Sequence, residues 1–468
     1  MTNLRLVVAA AAVTLTGRPS PVHANGAFPD SMAILLPPDR PERIVLGTNF
    51  GLVISNDGGD RWFLVCEQAI ATAGENVTRY QMGPPSAGRI YALASNQITS
   101  SVDGACTWAR AQGGWSDPFL TDAFPDPIDP DHVFALGLVM TAAGWRASSL
   151  FESHDGARSF GAPLYQAAQG LFITGVENAA SAPQTLYLTA YSGRPDALQS
   201  LLIRSPDGGR TFGTTDLAPW LGRGEPRIAA VDRRDQNRIY FRVVDPAGDK
   251  LGLSEDAGRT AHVALALTGE MTAFLRRQDG TLIVGTKLEG AFISRDGGQT
   301  FAPLLGAPHL RALAERGPVL YAAADNTGDG FALAASWDGG TTWRPRLRFE
   351  NLCGTMDCGQ EVNATCAAPW DRLVDLLSIK PTCASSSPED ASVDAGRPAE
   401  DALGEAASRD VPVPTRPSRG CACTVGGASP RAQVPLGVAV LLALAARKGT
   451  RSHRRGRGPH SHKKAAAA

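Results

Sequence analysis

Short apolar runs separated by turn-forming residues recur along most of the chain. Ahead of Ser55-Asn-Asp-Gly-Gly-Asp-Arg-Trp62 they are Met32-Ala-Ile-Leu-Leu36, Arg43-Ile-Val-Leu-Gly47 and Leu52-Val-Ile-Ser55, and Trp62-Phe-Leu-Val65 follows. The same order returns as Met271-Thr-Ala-Phe-Leu275, Thr281-Leu-Ile-Val-Gly285 and Ala291-Phe-Ile-Ser294. Runs this short, between Pro-, Gly- and Asp-rich turns, predict β-strands, four to a period. The second is the most regular: Arg89-Ile-Tyr91, His132-Val-Phe134, Thr185-Leu-Tyr187, Arg238-Ile-Tyr240 and Val319-Leu-Tyr321.

An eight-residue motif marks the period, in its fullest form Ser294-Arg-Asp-Gly-Gly-Gln-Thr-Phe301. Its other copies start at Ser55, Ser101, Ser153, Ser205, Ser254 and Ser336, and the Ser254 copy has lost its aromatic to Ala261. Successive serines lie 46, 52, 52, 49, 40 and 42 residues apart. A period in this range signals a propeller or solenoid. Within the motif Asp accepts hydrogen bonds from the turn's own N–H groups, and Gly takes the positive-φ positions. The aromatic, five residues after Asp, starts the outer strand and packs back on the turn. Seven motifs therefore predict an all-β, seven-bladed β-propeller of four-stranded antiparallel blades over residues 25–350.

The seven motifs resemble the Asp-box, or BNR, repeats of sialidases, sortilin-type receptors and bacterial glycan hydrolases, over roughly Phe28 to Phe349. In those families the box is a structural turn away from the active site. The resemblance thus implies that Asp57, Asp103, Asp155, Asp207, Asp256, Asp296 and Asp338 are structural, not catalytic. A sialidase also needs an early aromatic-Arg-Ile-Pro motif, and Pro41-Glu-Arg-Ile-Val45 lacks both the aromatic and the proline. Sialidases usually have six blades, and Asp-box endoglucanases set two propellers across a cleft. The catalytic residues, if any, stay unknown at this level, because acidic residues occur in every blade and a carboxylate pair remains open.

Blades 3 and 4 are the longest, with their surplus between the second and third strands, in Leu138–Arg146 and Ala190–Ala197; blade 7 has a smaller version, Asp325–Gly330. These loops fall on the face opposite the motif turns, which makes that face the expected binding surface. Its candidate ligand-binding side chains are Trp145, Tyr191, Arg194, Asp325 and Asp329. The arginine-rich segment Arg223 to Arg242 is a further candidate clamp for an acidic ligand, or simply solubilising charge at strand edges.

Only 19% of the residues are charged and the formal net charge is -1, but the charge is uneven. No acidic residue follows Gly420, whereas Arg447, Lys448, Arg451, Arg454, Arg455, Arg457, Lys463 and Lys464 crowd the end. The basic footprint is confined to that tail, so nucleic acid is not an expected partner.

The N-terminus reads as an export signal over 1–24: Arg5, the apolar stretch Leu6 to Leu15, and Val22-His-Ala24 as cleavage site. The alternative is a buried first strand. Export places the eight cysteines in an oxidising space. Cys353, Cys358, Cys366 and Cys383 do not follow zinc-site spacing and predict a small disulfide-stapled cap over 351–383 beside the last blade, with three possible connectivities. Cys66 and Cys106 are candidates to bridge each other. Residues 384–419, rich in Ser, Pro, Ala and acidic side chains, read as a disordered linker.

Residues 420–468 then combine Cys421-Ala-Cys423, a run of about thirteen apolar residues from Val434 to Ala446, and the basic end. This resembles the MYXO-CTERM sorting signal of myxobacterial surface proteins. It implies a membrane contact, a sorting protease as partner, and Cys421 or Cys423 as the modified position. The alternative is an ordinary membrane anchor, weak because the run is short of a comfortable span.

Two classes of function follow. One is an exported, surface-anchored, non-catalytic binding or scaffold module for a glycan or protein ligand; the other is an Asp-box glycoside hydrolase. No cofactor is called for. No metal site is expected either, since no His/Asp/Glu group has ligand spacing and Asp122, Asp126, Asp129 and Asp131 read as Asp-Pro turns, not calcium ligands. His132 and His262 stand as singles.

Overall fold

The structure, a computed structural model, describes residues 28–70, 77–84, 88–115, 118–194, 197–380 and 383. The expected leader, the linker, Cys421, Cys423 and the terminal segment lie outside the described residues. Seven sheets follow one another, each made of four consecutive antiparallel strands. Blade 1 holds β1 (Ser31–Leu35), β2 (Ile44–Thr48), β3 (Gly51–Ser55) and β4 (Phe63–Cys66), with the short helix α1 (Glu67–Ile70) after it. Blade 2 holds β5 (Val77–Met82), β6 (Ile90–Ala94), β7 (Gln97–Ser101) and β8 (Ala109–Arg110). Blade 3 holds β9 (Phe119–Pro125), β10 (Val133–Met140), β11 (Arg146–Ser153) and β12 (Tyr165–Gln166). Blade 4 holds β13 (Leu171–Ala179), β14 (Ala182–Ser192), β15 (Gln199–Ser205) and β16 (Gly213–Asp216), then helix α2 (Ala218–Leu221). Blade 5 holds β17 (Glu225–Val231), β18 (Ile239–Val244), β19 (Lys250–Ser254) and β20 (His262–Ala266). Blade 6 holds β21 (Met271–Arg276), β22 (Leu282–Thr286), β23 (Ala291–Ser294) and β24 (Ala302–Pro303). Blade 7 holds β25 (Ala312–Arg316), β26 (Val319–Ala323), β27 (Leu333–Ser336) and β28 (Arg344–Leu347).

The first strand of each blade lies nearest the ring axis, as β1 against β25 and β5 against β9 show. Second strands such as β2 (Ile-Val-Leu-Gly-Thr) are apolar almost throughout because a neighbouring blade covers each face, whereas the outer β8 and β24 face water. The hydrophobic core is accordingly divided by seam: seven clusters, each drawing residues from two adjacent blades. At the seam of blades 4 and 5, where the motif has lost its aromatic, Trp220 and Leu221 of α2 pack in the same cluster as Ala261.

Every blade is complete within its own stretch of sequence, so the ring is not closed by exchanging a strand. Polar contacts join blade 7 to blade 1: Ser31 Oγ donates to the Ala332 carbonyl at 3.2 Å, and Arg311 Nε meets Asp30 Oδ2 at 3.0 Å. The chain beyond blade 7 then returns to blade 1. A fifth strand, β29 (Gly354–Thr355), runs parallel to β4, and helix α3 (Gln360–Leu377) follows it. Cys366, Leu373 and Leu377 of α3 join Ile34, Trp62 and Phe349 in the core of the seam between blades 7 and 1.

The disulfides correct the expected pairing. Cys66 bonds to Cys366 and Cys106 to Cys358, and only Cys353–Cys383 stays within the cysteine-rich segment. Cys66 ends β4, opposite Gly51 at the β2–β3 turn, while Cys106 sits in the motif turn of blade 2. They are at opposite ends of their blades and cannot reach each other. The segment thus packs into the seam beside the last blade, and its disulfides clasp it onto the first two. Among the described residues no helix is long and apolar enough to cross a membrane.

Candidate functional site

Each motif turn is saturated internally. In the Ser294 copy the Ser294 hydroxyl donates to Asp296 Oδ1 at 2.7 Å and accepts the Gly298 N–H at 2.9 Å. Asp296 Oδ1 also accepts the N–H groups of Gln299 and Thr300, at 3.1 and 2.9 Å, and Oδ2 takes the Thr300 hydroxyl. Thr342 repeats the last contact on Asp338, and Arg61 Nε takes its place on Asp57 at 2.8 Å. The Thr211 hydroxyl and backbone hold Asp207 at about 2, and those of Thr342 hold Asp338 at about 2. A carboxylate so engaged is held ionised as the staple of its own turn.

The third strand of each blade runs into its motif turn, so the antiparallel second strands run away from that face and the first strands begin on the far one. Around the far rim of blades 3 to 5 this places Phe119, Phe172 and Glu225 at the start of β9, β13 and β17, and Met140 and Tyr191 near the ends of β10 and β14. Phe119, Met140 and Phe172 are 44%, 40% and 38% exposed. Phe172 and Tyr191 are direct cross-strand partners and their rings stack at 5.3 Å with 25° between planes. Burial pushes the Tyr191 hydroxyl up, with the Glu225 charge adding and Arg227 opposing, and Arg227 Nη2 is hydrogen-bonded to Glu225 Oε1. The Thr174 hydroxyl, donating to the Pro226 carbonyl, ties the two blades together beneath them.

Further along the first strands lies a cluster of ionisable groups. Arg79 of β5 pairs with Asp122 of β9, which also accepts the Ala123 N–H at 2.8 Å. Glu177 of β13 accepts the Val231 N–H at 2.8 Å. Burial pushes Asp122 above the ordinary carboxylate range, against Arg79 and the Ala123 N–H. Burial also pushes Glu177 up to about 7, against the Val231 N–H, and the Asp122 charge adds to it.

The predicted site residues part company. Tyr191 belongs to the rim stack, Trp145 is half-buried in the β10–β11 turn, and Arg194 is exposed in the β14–β15 loop. Asp325 instead accepts the N–H groups of Thr327 and Gly328, at 3.0 and 2.9 Å, and holds Arg311 Nη2 at 2.9 Å. Asp329 accepts the His309 N–H at 3.1 Å and faces its ring Nδ1 at 2.8 Å. Both aspartates are engaged within blade 7 and the seam to blade 1. Of the arginine-rich segment Arg227 joins the rim; Arg242 meets Asp249 and Glu270, at 2.8 and 3.2 Å, and Arg238 meets Glu255. Asp126 and Asp129 do cap the turn between β9 and β10, through the N–H groups of Ile128 and Asp131.

At the motif end of blade 3, Asp126 Oδ2 faces His132 Nδ1 at 3.2 Å, and Glu152 and His154 stand on the other side of the ring. Burial disfavours the charged imidazole, but the hydrogen bond to Asp126 and the negative charge of Glu152 beside it outweigh that and raise His132 to about 9.

No protein-family model matches the chain, and no curated protein matches it. Among solved structures it is similar to a GH74 xyloglucanase from Xanthomonas campestris, at 16% identity and a TM-score of 0.39, over 67% of this chain and 57% of that one. It is similar to YCF48 from Cyanidioschyzon merolae, at 14% identity and a TM-score of 0.43, over 63% of this chain and 92% of that one. A third is Sqt1 from Saccharomyces cerevisiae, at 10% identity and a TM-score of 0.45, over 67% and 84%. The chain thus spans little more than half of the xyloglucanase, and at these values none of the three bears on what it binds or does. The fold itself is a seven-bladed β-propeller of four-stranded antiparallel blades, latched by disulfides from its C-terminal side.

Proposed function

We propose that the chain is an exported, surface-anchored binding propeller, which takes an extracellular glycan or protein on the far rim of blades 3 to 5. The observation that carries this reading is the Phe172–Tyr191 stack beside the Glu225–Arg227 pair. An apolar platform with a few fixed polar groups at its edge is how concave sites grip and orient ligands. Aromatic faces at that rim stay in water in the free protein, and covering them on binding is favourable. The motif turns, with seven aspartates at the same structural position, support kinship with Asp-box propellers, whose boxes are likewise structural. Export is supported by the leader-like residues 1–24 and by three disulfides, which persist in oxidising spaces. Surface anchoring rests on the composition of residues 420–468.

The second reading, a glycoside hydrolase, has one observation in its favour. Asp122 and Glu177 are both raised by burial, Glu177 into the range of a general acid working near neutral pH. The two readings part on one experiment: the full chain on a glycan array and on chromogenic glycosides, beside a Phe172→Ala, Tyr191→Ala variant. Capture that falls at least tenfold in the variant, with no turnover, fits the binding propeller. Turnover abolished by Glu177→Gln would replace it with the hydrolase.

A further inference from the structure

In every blade the serine that opens the motif pairs with one residue of the second strand, as Ser55 does with Ile44, Ser101 with Ile90 and Ser153 with Val133. The residue before that partner, and the residues on either side of the serine, therefore occupy equivalent positions around the ring. In blade 3 these are His132, Glu152 and His154. No other blade has a histidine at any of the three: Arg43, Arg89 and Arg238 stand where His132 does in blades 1, 2 and 5. Two of those arginines bridge to the next blade, Arg43 to the Gly104 carbonyl and Arg89 to the Pro130 carbonyl. His132 is too short for that role and turns to its own blade.

There it meets a set of donors. His132 Nε2 lies 3.5 Å from Glu152 Oε2, and His154 Nε2 lies 3.5 Å from Glu152 Oε1. The two rings are nearly parallel, 9° apart at 4.8 Å between centroids. His132 Nε2 is buried and makes no hydrogen bond, while Nδ1 faces Asp126. Asp126 is itself fixed by the N–H groups of Ile128 and Asp129, at 2.7 and 3.0 Å, and by the amide of Asn178 from blade 4. An Nδ1–H given to Asp126 leaves Nε2 as the ligand atom, on the Glu152 side of the ring, with His154 Nε2 within 4.8 Å. That is the carboxylate–histidine arrangement that orients an imidazole toward a metal.

We propose that His132 Nε2, the Glu152 carboxylate and His154 Nε2 form a site for one divalent transition-metal cation, of which Zn2+ is the best fit. Two imidazoles and one carboxylate select such an ion over Mg2+ or Ca2+, which prefer oxygen alone. A tetrahedral Zn2+ with bonds of about 2.0–2.1 Å sets its ligands about 3.4 Å apart; each histidine lies 3.5 Å from one Glu152 oxygen, and the three donors lie within 4.8 Å of one another, so the ion would draw them together. His154 is 68% exposed, so the site opens to water, which takes the remaining coordination position. Through Asp126 and Asn178 the ion also strengthens the seam between blades 3 and 4.

The test is a calorimetric titration of the metal-stripped full chain with Zn2+, beside His154→Gln and Glu152→Gln. Histidines of the basic tail (His453, His460 and His462) are further donors, so the site is read as a difference between proteins. His154 is largely exposed, and equal thermal unfolding of the metal-free proteins verifies that its variant is folded. The wild type should bind one more equivalent of Zn2+ than either variant, or that equivalent at least tenfold more tightly. Its Co2+ form should show a visible d–d band that both variants lose. Identical Zn2+ isotherms in wild type and His154→Gln, or a Co2+ band that survives there, overturn the site.

Discussion

The two faces of the ring are made of the same strands and differ in what their turns leave over. On the motif face each Asp and Ser is consumed by its own turn, as Asp296 and Ser294 are, and the seven copies are nearly interchangeable. On the far face the blades diverge, and blades 3 to 5 bring Phe119, Phe172, Tyr191 and the Glu225–Arg227 pair to the rim. Repetition there has been relaxed where no turn depends on it. Stability is thus expected to reside in the motif turns, the seams and the clasp, and on the proposed reading ligand contact falls at the rim. Variants should separate the two.

The largest loss is expected at the clasp. Cys66–Cys366 spans 300 residues, and replacing both by serine should cost roughly 3–5 kcal/mol in urea unfolding. Glycan binding at low denaturant should be unchanged, since neither cysteine is near blades 3 to 5. A variant as stable as the wild type would remove the clasp as the ring's closure.

Glu177 comes next, inside the ring between the two faces. Its folded value of about 7 lies above the unfolded one near 4.5, so folding takes up a proton. Its contribution is fully present below about pH 4.5 and is lost as the pH rises through about 7. Over that window Glu177→Gln should gain on the wild type by at most about 3 kcal/mol. Unfolding free energies of the two proteins at pH 4.5 and 7.5 give the difference directly, and parallel pH profiles would place Glu177 in water.

The smallest effect belongs to the motif face. Ala257 holds φ +63° at the position where the other six copies carry glycine, as Gly58 does at +75°. Its methyl is only partly buried, so Ala257→Gly should stabilise by up to about 1 kcal/mol as the left-handed strain is relieved. Ala105 and Ala157, at the following position, also have positive φ, but their methyls are buried in the seam cores. Glycine there removes packing as it removes strain, and should change little.

Blade number and strand order were legible because the motif needs fixed residue types at fixed spacing: positive φ at Gly297 and Gly298, a carboxylate at Asp296. The clasp was not, because cysteine pairing follows from where β29 docks, and two residues of parallel pairing leave no pattern in the sequence. Nothing in the sequence sets Phe119 and Phe172 apart from other strand residues; only their place at the start of innermost strands exposes them. Asp325 and Asp329 looked available because a polar loop is the same whether its carboxylates are free or cap their own turn. His132, Glu152 and His154 escaped a search by spacing because a hairpin, not a helix or a short motif, brings them together.

Binding by the far rim is tested most directly by the affinity of the full chain for a glycan it captures on an array, measured beside Phe172→Ala, Tyr191→Ala. The two rings should carry at least a tenfold loss of affinity, while thermal unfolding stays within a few degrees of the wild type. Undiminished binding without them, or hydrolysis of the captured glycan, would contradict the account.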